Sequence, residues 1–174
     1  MSSAGVVSEA QVRPVSVFVS LGSNIEPLRH ARMAVKKLRQ RFGPLRVSSV
    51  YRNRAAGFEG EDFLNLVVGF TTTESPEAVV AELEKLHAEA GRVRGADRFA
   101  PRTLDLDLLI YGDRVIDELQ VPRKDIKEYS FVLGPLAEIA PDLRHPVTGE
   151  SMAELWNRFD QGRHPLHKEP DSVA

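Results

Sequence analysis

Four guanidinium groups and a closely spaced pair of carboxylates crowd into one short span of this chain. Arg92, Arg94, Arg98 and Arg102 precede Asp105 and Asp107 in the stretch from Gly91 to Asp107. The apolar run from Leu104 to Tyr111 predicts a strand, in which side chains two apart share a face. Asp105 and Asp107 then stand side by side, while Leu104, Leu106 and Leu108 face the packed side. Neighbouring like charges oppose each other's ionisation, and a hard divalent cation relieves that repulsion. Mg²⁺ is often held by one or two carboxylates with substrate phosphates completing its shell. The plainer alternative is a solvated or arginine-paired sheet face with no catalytic role. Arginines in this number favour the first reading, because planar, permanently charged forks suit phosphate oxygens. Metal plus polyphosphate is the chemistry this span fits. Gly91, Gly95, Ala96 and Ala100 make the arginine segment a small-residue loop suited to closing over a ligand.

The elements that must position these groups follow from periodicity. Val15 to Leu21 is β-branched and apolar, Gly22, Ser23 and Asn24 break it, and Leu28, Ala31, Ala34, Val35, Leu38 and Phe42 recur at helical spacing. Leu45 to Tyr51 and Phe63 to Thr73 alternate as two strands joined by a long loop. Ser75 caps a helix with Pro76 at its first position, ending near Gly91. After the aspartate strand, Arg114 to Ile116 reads as a short pairing segment, and Ser151 caps a last helix to Phe159. Two successive strands between helices predict antiparallel pairing in an α+β sheet. Residues 1–14 and 160–174 read as mobile tails with little to bury, leaving one domain over 15–159.

Composition sets the outer limits. The 174 residues carry 23 Lys plus Arg against 25 Asp plus Glu, and no Cys. One sizeable core is expected at roughly 100 to 200 residues per domain. Without Cys, disulfides, thiolate metal sites and a Cys nucleophile are excluded, so a metal must take oxygen or imidazole ligands. No apolar run reaches the roughly 20 residues of a membrane-spanning helix, and the first residues lack a signal-peptide pattern, so a cytoplasmic setting without membrane association is expected. The near-neutral balance gives no general attraction to nucleic acid, and the basic helix bearing Arg29, Arg32, Lys36, Lys37, Arg39 and Arg41 reads as a solvated face. Neither the phosphate-binding G-x-x-x-x-G-K-[ST] loop nor the dinucleotide fingerprint G-x-G-x-x-G is present. His164 and His167 stand in a Pro-containing tail with no partner ligand, and Trp156 reads as a core anchor.

The run from Arg98 to Leu109 resembles the signature of the 6-hydroxymethyl-7,8-dihydropterin pyrophosphokinase family of folate synthesis. Satellite segments resemble it in order and spacing: Leu21 to Asn24, Val47 to Arg52, Phe63 to Asn65, Gly91 to Arg94, and Phe131 to Leu133 with Pro135 and Leu136. The resemblance covers about Val15 to Phe159. It implies a single α-β-α sandwich, a ferredoxin-like antiparallel sheet with helices on both faces. It also implies transfer of pyrophosphate from ATP to the hydroxymethyl group of the dihydropterin, with AMP released, by a monomer whose partners are these two small molecules.

Site roles follow from the same resemblance. Asp105 and Asp107 would hold two Mg²⁺ ions. Arg92 and Arg102 would contact ATP phosphates in the transition state, with Arg94, Arg98, Leu108, Arg123 and Lys124 completing the ATP contacts. Phe63 and Phe131 would stack on the pterin, Asn65 would read its edge, and backbone groups at Asn53, Ala56 and Gly57 would supply the rest. Several positions depart from the family pattern. Arg123 and Lys124 replace a His and an aromatic, Tyr129 a loop arginine, Phe99 a Trp, His87 a Glu, and Asn53 with Arg54 a Thr-Pro pair. Rival readings are a non-catalytic paralogue that binds pterin or nucleotide, and a D-x-D metal-dependent glycosyltransferase, against which the short chain and the arginines argue.

Overall fold

A computed structural model describes residues 13–53, 62–91, 104–162 and 165–174. Among them the strands are β1 (Val15–Ser23), β2 (Arg46–Val47), β3 (Tyr51–Asn53), β4 (Phe63–Thr72), β5 (Asp105–Tyr111) and β6 (His167–Lys168). The helices are α1 (Pro27–Phe42), α2 (Pro76–Glu89), α3 (Asp125–Glu128), α4 (Ser130–Ile139) and α5 (Met152–Arg158). The strands form one sheet in the order β5-β1-β4-β3-β6, with β2 also on β4, and every pairing is antiparallel.

Strand alternation divides the apolar residues between the two faces. Val17, Val19 and Leu21 of β1 meet Ala34, Leu38 and Leu83 from α1 and α2 on the first face. Phe18 and Val67 meet Ile126, Leu133, Leu136 and Leu155 from α3, α4 and α5 on the second. The result is the expected α+β sandwich. Ser75 and Ser151 cap their helices as expected, accepting from Ala78 N and Glu154 N at 3.1 Å.

Two irregularities tune which face each residue meets. The β1–β5 register shifts between Phe18 and Val19, so that Leu109 is an extra residue and both Leu109 and Ile110 join the second-face core. The predicted Leu45 to Tyr51 strand is divided into β2 and β3, because Ser48 interrupts it. Its N–H donates to Val67 O and its hydroxyl accepts from Val67 N, both at 2.9 Å, and the register against β4 slips by one residue beyond it. The pairing segment expected at Arg114 to Ile116 reduces to an Ile116–Val121 bridge.

Helix α4 has no counterpart in the periodicity of the sequence. Gly134 and Pro135 lie in its interior, where local preference argues against a helix. Burial of Val132, Leu133, Leu136 and Ala137 against the sheet overrides that preference.

The C-terminal residues also differ from a tail with little to bury. β6 pairs with β3 through Tyr51 to Lys168 and Arg52 to His167, Glu169 N donates to Val50 O at 2.8 Å, and Arg52 pairs with Glu169. Leu166 packs on Gly134, and Val173 lies 5% exposed in the first-face core. Leu166 and Val173 are isolated apolar residues in a polar segment, too sparse to register as periodicity. The expected N-terminal tail falls almost wholly on residues 1–12, outside those described.

The basic face of α1 carries ion pairs: Arg29 with Glu26, Lys37 with Glu89, and Arg41 with both Glu74 and Glu82. No helix among the described residues is long and apolar enough to cross a membrane. Removal of residues 165–174 is expected to lower the unfolding free energy by at least about 2 kcal/mol, since burying one Val or Leu contributes about 1.5–3 kcal/mol. Urea unfolding of the shortened and full chains measures it, and equal midpoints would contradict the packing role of this segment.

Candidate active site

The antiparallel registers draw one row across the sheet. Asp105 pairs with Gly22, Gly22 with Asn65, and Asn65 with Tyr51. In the next row Asp107 pairs with Ser20 and Ser20 with Val67. Residues two apart share a face, so Asp105, Asp107, Gly22, Asn65, Phe63 and Asn53 all lie on the α4 side. Val67 fixes that side through its contacts in the second-face core. Leu104, Leu106 and Leu108 are buried in the first-face core, opposite the aspartates as predicted. The Leu108 side chain, expected at the ATP, therefore points away from Asp105 and Asp107.

Gly22 is the joint of this row. A Cβ there would stand 3.1 Å from Asn65 Oδ1, a tight approach, and 4.0 Å from a Phe63 ring carbon, an ordinary contact, so the glycine lets Asn65 lie close over β1. Asn65 is 7% exposed and donates its amide N–H to the Asn53 side-chain oxygen. Asn53, expected to contribute through its backbone, thus engages Asn65 through its side chain.

Arg123 bridges two carboxylates on this face. Arg123 Nη2 lies 3.5 Å from Asp107 Oδ1, and Arg123 Nε lies 3.6 Å from Asp125 Oδ2. Its backbone N–H donates to Leu109 O at 3.0 Å, so the residue is anchored to the aspartate strand. Nε is buried and has no hydrogen-bond acceptor among the described residues. A cation thus stands against the carboxylate at the position where the family pattern has His. Lys124 is exposed just before α3. Phe131, near the start of α4, is half-buried and stacks on Tyr129 with centroids 5.0 Å apart and planes at 22°. Tyr129 therefore extends the aromatic surface of Phe131.

A second polar cluster clamps β3 to α4 at the far end of the same row. Glu138 accepts from Tyr51 OH at 2.6 Å, from Ser49 Oγ at 2.8 Å and from Ser49 N at 3.0 Å. Burial, reinforced by Glu138, pushes the Tyr51 phenol up to about 12. Burial alone would raise Glu138, but the hydrogen bonds from Tyr51 and Ser49 outweigh it and hold that carboxyl below its usual range.

Arg92, Arg94, Arg98, Arg102, Ala56 and Gly57 lie outside the described residues. The structure therefore brings together Asp105, Asp107, Asn53, Phe63, Asn65 and Arg123 on one face. Gly22, Tyr129 and the side chain of Asn53 are the additions. The break after Leu21 marks Gly22 in the sequence, but its neighbours depend on strand register. Among the described residues no group of three His, Cys, Asp or Glu could hold a metal. Two carboxylates side by side still fit Mg²⁺, which keeps several waters and takes further oxygens from substrate phosphates.

Comparison with known proteins gives the class. The sequence profile described as 7,8-dihydro-6-hydroxymethylpterin-pyrophosphokinase matches residues 18–141, and this chain belongs to that family. It is 38% identical over 147 residues to the 2-amino-4-hydroxy-6-hydroxymethyldihydropteridine pyrophosphokinase of Synechocystis sp., covering 82% of this chain and 75% of that one. Identity to the Pneumocystis carinii folic acid synthesis protein is 34% over 159 residues, 88% of this chain but only 21% of the longer protein. A Plasmodium falciparum HPPK-DHPS structure matches with TM-score 0.68 at 11% identity, over 85% of this chain and 46% of that one, which supports the fold. This chain thus spans a fifth to half the length of those two longer proteins.

Gly22→Ala is expected to cost about 1–3 kcal/mol through overpacking against Asn65. Combining it with Asn65→Ala should recover part of that loss, because the smaller side chain makes room. A double-mutant cycle in denaturant tests the contact, and strictly additive losses would count against it.

Proposed function

We propose that this chain transfers pyrophosphate from ATP to the hydroxymethyl group of 6-hydroxymethyl-7,8-dihydropterin, giving the pterin diphosphate and AMP in folate biosynthesis. Family membership supports the reaction class. The observation that supports the site is the row from Asp105 through Gly22 to Asn65, in which the paired carboxylates, the Asn65 amide and the Phe63 ring share one face of the sheet.

The hydroxymethyl oxygen forms a bond to the β-phosphorus while the bond from that phosphorus to the oxygen bridging to the α-phosphate breaks, and that oxygen leaves with AMP. Two Mg²⁺ ions held by Asp105 and Asp107 would supply charge neutralisation for the triphosphate. Asp105 or Asp107 would also stand near the hydroxyl that must lose its proton. Arg92 and Arg102 clamp the phosphates, with Arg94 and Arg98 as further contacts, and the loss of one such donor typically costs about 10²- to 10³-fold in rate. Arg123 stands beside Asp107 and has a short reach to the same phosphates, a cation where the family pattern has His. Lys124 and the Leu108 backbone complete the nucleotide contacts.

For the pterin, Phe63 and Phe131 stack on the ring faces and Tyr129 widens the platform. The Asn65 side chain, held by Asn53, meets the ring edge, with backbone groups at Asn53, Ala56 and Gly57. A cytoplasmic setting is what we infer, supported by the need for ATP, with the chain acting as a monomer.

AMP release from ATP and hydroxymethyldihydropterin, measured with magnesium omitted and restored, is the deciding assay. Asp105→Ala and Asp107→Ala are each expected to lower Mg²⁺-dependent AMP release by at least about 10²-fold with the fold retained. Near-normal release would refute the carboxylate assignment, and ADP as product would refute the reaction. Phe131→Ala is expected to weaken pterin binding about tenfold, some 1.4 kcal/mol, while changing ATP binding much less. Calorimetry reads both, and equal losses would overturn the stacking role.

A further inference from the structure

We propose that His87 is a positioning residue for the aspartate pair, acting through the backbone of the residue between them. The proposal rests on Asp105 and Asp107 being the metal-binding carboxylates. Strand β5 stands at the end of the sheet order, with β1 as its neighbour. An end strand presents outward backbone groups, and one that is buried needs an acceptor from elsewhere. Leu106, which separates Asp105 from Asp107, has such an N–H. It donates to His87 Nε2 at 2.8 Å in a buried hydrogen bond.

The imidazole is well placed for this. His87 is 4% exposed, in the last turn of α2. Because Nε2 accepts, the ring proton sits on Nδ1, which lies 3.4 Å from Glu84 Oε2. One carboxylate, one imidazole and one amide thus run in series from the α2 surface to the aspartate strand. A Leu or Ala at this position would leave the Leu106 N–H unmet, and β5 would have to twist to find water. That twist rotates both aspartates, since each is bonded directly to Leu106. His87 stands in the last turn of α2, and Arg92 follows a few residues later in the chain. A single hydrogen bond therefore ties the carboxylate strand to the root of the arginine segment.

Where the family pattern has Glu, this chain presents an imidazole acceptor to the Leu106 N–H of β5. Partners that orient metal ligands at one remove typically change metal affinity or activity by about 10- to 100-fold when lost.

The test compares His87→Leu, which removes the acceptor, with His87→Gln, whose side-chain oxygen reaches about as far as Nε2. Mn²⁺ binding to the enzyme with a non-hydrolysable ATP analogue is read by electron paramagnetic resonance, alongside amide exchange at Leu106 and the KM for pterin. We expect H87L to weaken Mn²⁺ binding about tenfold and to speed Leu106 exchange, with the pterin KM little changed, and H87Q to restore both within about twofold. Equal losses in H87L and H87Q would reduce His87 to a packing residue, and unchanged Mn²⁺ binding in H87L would overturn the proposal outright. Should H87L fail to fold, H87Q against His87→Asn, whose oxygen falls short, makes the same comparison: weaker Mn²⁺ binding in H87N alone supports the proposal, and equal binding in the two overturns it. Asp105→Asn and Asp107→Asn run in parallel. If they bind Mn²⁺ as the unaltered chain does, the carboxylate reading fails and this proposal falls with it; if they lose Mn²⁺ while H87L does not, only the His87 proposal is overturned.

Discussion

The pairing of β1 with a strand on each side is the constraint from which the site follows. Ladder hydrogen bonds to β5 and β4 fix which residues stand abreast, and a slip of one residue would turn each side chain to the opposite face. Two bulges make the arrangement work. Leu109 absorbs a register shift below the aspartates, so Leu109 and Ile110 both fill the second-face core while Leu106 and Leu108 fill the first. Ser48 absorbs another, so Tyr51 and Asn53 come abreast of Asn65 and Phe63. Polar side chains of distant sequence origin are thereby set on one surface without any of them needing to be near another along the chain.

Electrostatics on that surface are arranged in pairs. Asp107 faces Arg123, Arg123 faces Asp125, and Glu138 is held by three donors at the opposite end of the row. The first two pairs are loose and half-exposed, with separations of 3.5 and 3.6 Å, and such contacts are weak enough to exchange for a ligand. The last is tight, joins a strand to a helix, and belongs to the scaffold. For a face to take up a highly charged ligand both kinds are needed: groups able to change partners, and a frame that does not move when they do.

What the sequence made legible was what depends on near neighbours. The two-residue spacing of Asp105 and Asp107, the helical spacing in α1, and the Ser75 and Ser151 caps each depend on a few consecutive residues, and all appear as read. The match to the family signature carried the fold, because the order of its motifs encodes the topology. What stayed hidden depends on distant pairing. Gly22 announces a turn in the sequence, yet its importance lies in Asn65, across a strand pair. Helix α4 contradicts its own Gly134 and Pro135 and exists because the sheet offers its apolar side chains a surface. His87 stands out in the sequence only as a departure from the family pattern, and its partner, the Leu106 N–H, comes from a strand nineteen residues on. Leu166 and Val173 are lone apolar residues whose burial needs a core assembled elsewhere.

The final short strand bears on how copies of this protein meet one another in concentrated solution. A sheet with a bare margin invites another molecule to continue it, and stacking of that kind leads toward aggregates. At one margin the Leu106 amide is already engaged by His87. At the other, β6 is two residues long, both exposed, and one is Lys168. A strand so short and charged offers an incoming chain almost no ladder to join. The C-terminal segment thus closes the sheet it completes and gives the molecule a border that resists polymerisation.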